Sequence, residues 1–267
     1  MMTTTRKLKG LVVRATDGEL GTVEDFYFDD ETWGVRYLTL ETGGWLGGRQ
    51  VLISPIAVLQ TDWSARRIDV KLTRRQIENS PSIDKHKPVS RQHEAQYMTY
   101  YGYPYYWDGP YLWGAAYYPT GLMMDPMAHS QQTLEDRAGR EPGDSHLRST
   151  DEVTGYHIHA NDGEIGHVDQ FVIDDEVWAI RYLEVATRNW WPGKKVLLSP
   201  SWVERVSWPA SSVFVALSRK AIQTCPEYFE GMEITREYEK NIYCHYGRPP
   251  YWLNESENRP SVSSPTR

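Results

Sequence analysis

Three histidines lie close together in the stretch GYHIHANDGEIGH, residues 155–167. On a strand His157 and His159 would share one face, with His167 and Glu164 a short turn away, and imidazole with carboxylate is a zinc-type donor set. The acidic runs Asp29/Asp30/Glu31 and Asp174/Asp175/Glu176 offer the oxygen ligands that calcium takes. They lack the spacing of a calcium loop and read as solvated turns. Consecutive carboxylates in a turn also lack the cleft and the split pKa values that acid–base catalysis needs. Arg36 and Arg181 suit a phosphate or carboxylate, or an ion pair with a turn acid. RNWWPGKK, residues 188–195, interleaves rings and cations as a single-strand nucleic-acid surface does. Cys225 and Cys244 lack the partners of a nucleophile and the CxxC spacing of a metal or redox pair.

The elements that would position these residues come from an internal repeat, which is looked for before anything else. DGELGTVEDFYFDDETWGVRYL at 17–38 returns as DGEIGHVDQFVIDDEVWAIRYL at 162–183, an offset of 145. QVLISP (50–55) meets KVLLSP (195–200), and LTRRQIENSP (72–81) meets LSRKAIQTCP (217–226), at the same offset. The aromatic run YYGYPYYW, Tyr100–Trp107, lands on HYGRPPYW, His245–Trp252. Low-complexity sequence drifts in register, and this does not. Gly18 pairs with Gly163, Trp33 with Trp178, Trp45 with Trp190, Trp63 with Trp208, Arg36 with Arg181, and Trp107 with Trp252. Matching large aromatics predict shared packing.

The register also weighs the candidate sites. His157, His159 and His167 meet Val12, Arg14 and Thr22 in the first copy, so the histidine cluster is not shared architecture, and no metal or cofactor is expected. Cys225 and Cys244 meet Ser80 and Thr99, which argues against a catalytic thiol. The expectation is a protein that is not an enzyme.

Each unit reads as short strands followed by helices. Asp-Gly between apolar flanks is a hairpin signal. WGVRYLTL and WAIRYLEV alternate in period two, as a two-faced strand does. Five or six such antiparallel strands close most economically into a small barrel. Thr73 and Ser218 are expected N-caps of a first short helix. Ser90 and Thr235 are expected to cap a second, ended by Gly102 and Gly247. The expected fold is mainly β with short helices. It places unit 1 at 8–107, a partly flexible aromatic-then-polar linker at 108–154, unit 2 at 155–252 and a disordered tail at 253–267.

These residues resemble the PRC-barrel family, named for the photosynthetic reaction centre's H subunit. The likeness rests on DGELGTVEDFYFDD, VRYLTLE and QVLISP, and on DGEIGHVDQFVIDD, IRYLEV and KVLLSP. It covers about 70 residues in each half and is closest to the stand-alone bacterial tandem type. The resemblance implies a small, strongly bent barrel in each half and a role in protein interaction and assembly. It leaves two other roles in view: an RNA- or ribosome-associated factor, and a peripheral partner of a photosynthetic or electron-transfer complex.

Composition bounds the partners. Hydrophobic residues make up 40% and charged residues 24% of the 267, an ordinary globular mix. A formal net charge of −7 is not the basic footprint of a nucleic-acid binder, which disfavours RNA and DNA. No stretch reaches the ~20 apolar residues of a membrane helix, and MMTTTRKLKGLVV has no apolar signal region. Two thiols and no disulfide framework fit a reducing cytoplasm. The expected partner is a protein or a second copy of the chain. Tyr100, Tyr103, Tyr105, Tyr111, Trp113, Tyr117 and Tyr118 are the candidate anchors, because Tyr and Trp dominate binding hot spots.

Overall fold

The computed structural model describes residues 1–46, 50–81, 89–124, 146–187 and 195–253. The expected tail 253–267 lies outside these beyond Leu253. So does RNWWPGKK except for Lys195, and with it Trp190.

The first half begins with strand β1 (Met2–Thr4) and a single helical turn, α1 (Thr5–Leu8). Strands β2 (Val12–Ala15), β3 (Gly18–Asp29), β4 (Val35–Glu41), β5 (Val51–Ile53), β6 (Val58–Asp62) and β7 (Arg67–Val70) follow. Helices α2 (Arg74–Glu78) and α3 (Arg91–Tyr101) close the half. The second half repeats this order. It has β8 (Leu147–Ser149), α4 (Thr150–Val153), β9 (His157–Ala160), β10 (Gly163–Asp174), β11 (Ala179–Ala186), β12 (Lys195–Leu198), β13 (Val203–Ser207) and β14 (Ser212–Val215). Helices α5 (Arg219–Gln223) and α6 (Arg236–Tyr246) complete it.

The local signals act as their chemistry requires. Thr73 and Gln76 form a capping box on α2, and Ser90 and Thr235 accept amides at the starts of α3 and α6. Gly102 and Gly247 end those helices at φ 65° and 59°, the left-handed turn that glycine adopts most cheaply. The hairpin aspartates have a second duty. Asp17 accepts the amide of Arg74 at 2.8 Å, and Asp162 that of Arg219 at 2.7 Å. Each hairpin is thereby tied to the short helix after the sheet. At Gly21 and Gly166 a Cβ would lie 2.1 and 2.0 Å from the carbonyl oxygens of Glu41 and Ala186. Only glycine lets those strands pass so closely.

Two seven-stranded sheets result, ordered β5-β4-β3-β2-β7-β6 and β12-β11-β10-β9-β14-β13, each completed by one further strand. Two expectations need correction. The sheets are mixed rather than antiparallel, because β2 pairs with β7, and β9 with β14, in parallel. They are also not closed by hydrogen bonds. The edge strands β5 and β6 are joined directly through the 3-10 turn Pro55–Ala57, so the sheet curls until its two edges meet in sequence. A parallel pairing follows, since strands that begin and end such a curl run the same way.

The seventh strand of each sheet comes from the other half. β1 pairs with β10, Thr3 opposite Ile173, and β8 pairs with β3, Arg148 opposite Phe28. The units thus exchange their first strands. The repeat therefore starts at Met2 and Leu147, and the segment 108–154 is not simply a linker. Its last residues are strand and helix. Its first residues fold onto the body, with Trp113 fully buried and Leu122 1% exposed.

Candidate functional site

Two buried carboxylates stand at matching repeat positions, one per unit. Glu94 on α3 is 0% exposed and Glu239 on α6 is 2% exposed. Each stands one turn after an arginine, in RQHE and REYE. The helix turns that carboxylate inward beneath the central strand and keeps the arginine at the rim.

In unit 2, Glu239 accepts hydrogen bonds from the hydroxyls of Tyr182 at 2.8 Å and Tyr251 at 2.9 Å. Arg236 Nη1 lies 2.9 Å from its other oxygen. In unit 1, Glu94 accepts from Tyr37 at 3.3 Å and from Tyr106. Arg91 Nη1 lies at 3.3 Å, and His146 Nε2 adds a contact at 2.9 Å. Tyr106 and Tyr251 belong to the Pro-aromatic segments after the helices. Those segments double back so that their phenols reach the glutamates.

The two arginines singled out in the sequence complete the clusters. Arg36 lies 4.0 Å over the Tyr106 ring and Arg181 4.0 Å over Tyr251. Arg36 is 3.9 Å from Asp29, and Arg181 is 3.4 Å from Asp174. The turn acids are therefore ion-pair and capping groups. Asp29 also accepts the amides of Glu31 and Thr32, at 3.1 and 2.9 Å. Burial opposes its ionisation, but the Arg36 charge and the Thr32 amide prevail and hold the carboxyl below the usual range. Burial, reinforced by the Glu94 charge, raises the Tyr37 and Tyr106 hydroxyls well above the ordinary phenol value. The same causes raise Tyr182 beside Glu239. The outer rings sandwich the rim arginines. Arg91 lies 4.3 Å over Trp107, and Arg236 4.2 Å over Trp252. Carboxylates so enclosed tie helix, strand and aromatic segment together.

His167 stands opposite His157 in the β10–β9 pairing, but the three histidines do not share one site. His157 is exposed and holds Glu164 at 2.9 Å, while His159 stacks on Phe214 at 4.9 Å. Among the described residues no group of three His, Cys, Asp or Glu is placed to hold a metal ion. Lys195 is tied to Glu184 at 2.6 Å and Asp169 at 2.8 Å, within unit 2. Cys225 and Cys244 are not joined in a disulfide.

The aromatic candidates divide by burial. Tyr103 is 7% exposed and Trp113 0%, so neither is a surface anchor. Tyr103 stacks on Tyr101 at 5.5 Å, and the Trp113 Nε1 donates to the Val177 carbonyl at 2.7 Å. Tyr100 is 41% exposed, though its hydroxyl donates to the Gln76 carbonyl. Tyr105, Tyr111, Tyr117 and Tyr118 are half-buried. Tyr105 stacks on Trp107, and Tyr111 packs on Tyr117, each at 4.6 Å. The paired Gly18 and Gly163 lie at φ 149° and 135° at the hairpins. The missed residues, Glu94 and Glu239, were visible as a matched Arg-x-x-Glu at the repeat offset.

Residues 3–77 match the family model of the PRC-barrel domain. No curated protein matches the chain. No helix among the described residues is long and apolar enough to cross a membrane. The domain is of a kind that serves interaction or assembly. Residues 3–77 thus form a PRC-barrel domain, and a second sheet of the same strand order is consistent with a tandem arrangement.

Proposed function

We propose that the chain is a non-catalytic interaction module in which two PRC-type barrels act as one rigid body for a protein partner. The observation that carries this reading is the interaction-type domain at residues 3–77, doubled by a second sheet and locked to it by exchanged strands. A support of this kind suits binding sites better when its two surfaces cannot move independently. The carboxylates of Glu94 and Glu239 support the same view, because they are buried and accept hydrogen bonds from tyrosine hydroxyls. Cys225 and Cys244, which form no disulfide with one another, favour a reducing compartment such as the cytoplasm.

Exposed apolar side chains give a partner something to grip. Leu59 is 62% and Phe229 60% exposed. A gentle native pull-down with the full chain, followed by identification of co-purifying proteins and light scattering of the purified chain, tests the proposal. A reproducible protein partner, or a defined oligomer, is expected. A strict monomer that retrieves nothing would overturn it.

A further inference from the structure

We infer that Phe229 and Met232 are a docking point for a basic amphipathic helix presented by a protein partner. The inference rests on the interaction-module reading and names the partner's chemistry.

Phe229 is 60% exposed, although the segment that carries it is held in place. Tyr228 before it is 2% exposed and forms an antiparallel bridge to Lys195 at the start of β12. Its amide donates to the Lys195 carbonyl at 3.2 Å. The Tyr238 hydroxyl, on α6, lies 3.3 Å from the Pro226 carbonyl oxygen and 3.0 Å from that of Glu227. Glu230, after the phenylalanine, lies 2.9 Å from Arg6 Nη1 on α1 and 3.7 Å from Lys195 Nζ.

The Met232 amide donates to the Phe229 carbonyl at 3.0 Å and closes a turn. Gly231, the third residue of that turn, has φ 86°, the left-handed value that a type II turn needs there and that glycine supplies. The turn brings exposed Phe229 and half-buried Met232 together at its base. With Tyr228 held inward, the next side chain of the extended segment points outward. A ring carried on a fixed backbone loses little freedom on binding, and aromatic anchors of this kind dominate hot spots.

Charge selects the partner. PEYFEGMEI, residues 226–234, has carboxylates and no cation, and Glu227, Glu230 and Glu233 are all exposed. Along the chain they stand on both sides of the apolar pair. Phosphate-bearing surfaces, an anionic bilayer or a nucleic acid, are repelled by such a rim. An amphipathic helix with a narrow apolar stripe and lysine or arginine on its flanks is matched by it. The stripe covers Phe229 and Met232 while the cations reach the carboxylates. The feature is written only in the second half, because the repeat offset puts Asp84 and Lys87 in the places of Phe229 and Met232.

The probe is a labelled synthetic amphipathic helical peptide built of leucine and lysine, titrated into the full chain and followed by fluorescence anisotropy. Saturable binding that weakens with added salt is expected. Phe229→Ser should weaken it at least ~10-fold with unchanged circular dichroism, as loss of an aromatic anchor does. Glu233→Gln should weaken it less and flatten its salt dependence. The same peptide with glutamate in place of lysine should not bind. Absent saturable binding would overturn the inference, as would indifference to Phe229→Ser or equal binding of the glutamate peptide. Binding to vesicles of anionic lipid that Phe229→Ser removes would assign the feature to a membrane surface and overturn it. Concentration-dependent self-association that Phe229→Ser removes would assign it to a second copy and overturn it too. A pull-down partner retained by Phe229→Ser would leave the module reading intact and remove only this docking point.

Discussion

Trp33 and Trp178 hold the two sheets together through their backbones. The Trp178 carbonyl accepts the Val35 amide at 2.8 Å, and the Trp33 carbonyl accepts the Ile180 amide at 2.9 Å. Both residues have positive φ, 59° and 55°, a left-handed conformation that costs a non-glycine residue roughly 1–2 kcal/mol. Identical strain at identical repeat positions is kept because it turns each carbonyl toward the other unit. The contact is reciprocal, as in an isologous dimer, but here it is made within one chain.

That junction depends on the indoles staying buried. Trp33 stacks on Phe28 at 5.2 Å, and Trp178 is 2% exposed. Trp178→Ala should destabilise the protein by about 3–5 kcal/mol, read as a lower urea midpoint. A loss below ~1 kcal/mol would show that the junction does not matter to stability.

The arm of the second half is held by Asp25. Its carboxylate accepts from Ser149, from Thr150 and from the Asp151 amide at 3.2 Å, and lies 3.3 Å from Lys9 Nζ. Asp25→Ala leaves these donors without their acceptor and should cost about 2–4 kcal/mol. Hydrogen exchange should rise first in residues 147–153.

The buried glutamates should be equally unforgiving. Glu239→Ala leaves the Tyr182 and Tyr251 hydroxyls without their acceptor and frees the half-exposed Arg236, and the two stranded donors together should cost about 3–5 kcal/mol. Tyr251→Phe should cost less, about 1.5–3 kcal/mol, for one bond to a charged acceptor. Thermal unfolding of both variants checks the order.

Stability should fall at both ends of the pH range. The folded state raises the Tyr37, Tyr106 and Tyr182 hydroxyls by burial and by nearby glutamate. In the unfolded chain they titrate near 10, so above pH ~10 the unfolded state loses protons first and stability drops. Tyr37→Phe should flatten that slope. Asp29 is held low in the fold. Its contribution is complete above pH ~4 and is lost as pH falls through the lowered value. Denaturation midpoints across pH give both slopes.

Much of this architecture was legible before any coordinates. The offset of 145 located the strands, the helix caps and the aromatic segments, because each is a local pattern written twice. The exchanged arms were not legible. Met2–Leu8 and Leu147–Val153 share only Thr5 and Thr150 as an identity, and three-residue strands carry too little alternation to be read. Which sheet a strand joins is a tertiary outcome. Glu94 and Glu239 stood in register, yet a glutamate in a polar helix gives no sign of burial. Trp113 and Tyr103 are buried rather than exposed, for the converse reason: ring-rich sequence does not say which rings face inward.

The central claim, two sheets made one body by exchanged strands, is tested most directly by hydrogen exchange with peptide-level resolution. The account predicts that residues 2–4 are protected together with β10 and residues 147–149 together with β3, each pair opening in a common unfolding event. Free exchange in either arm while both sheets remain protected would contradict it.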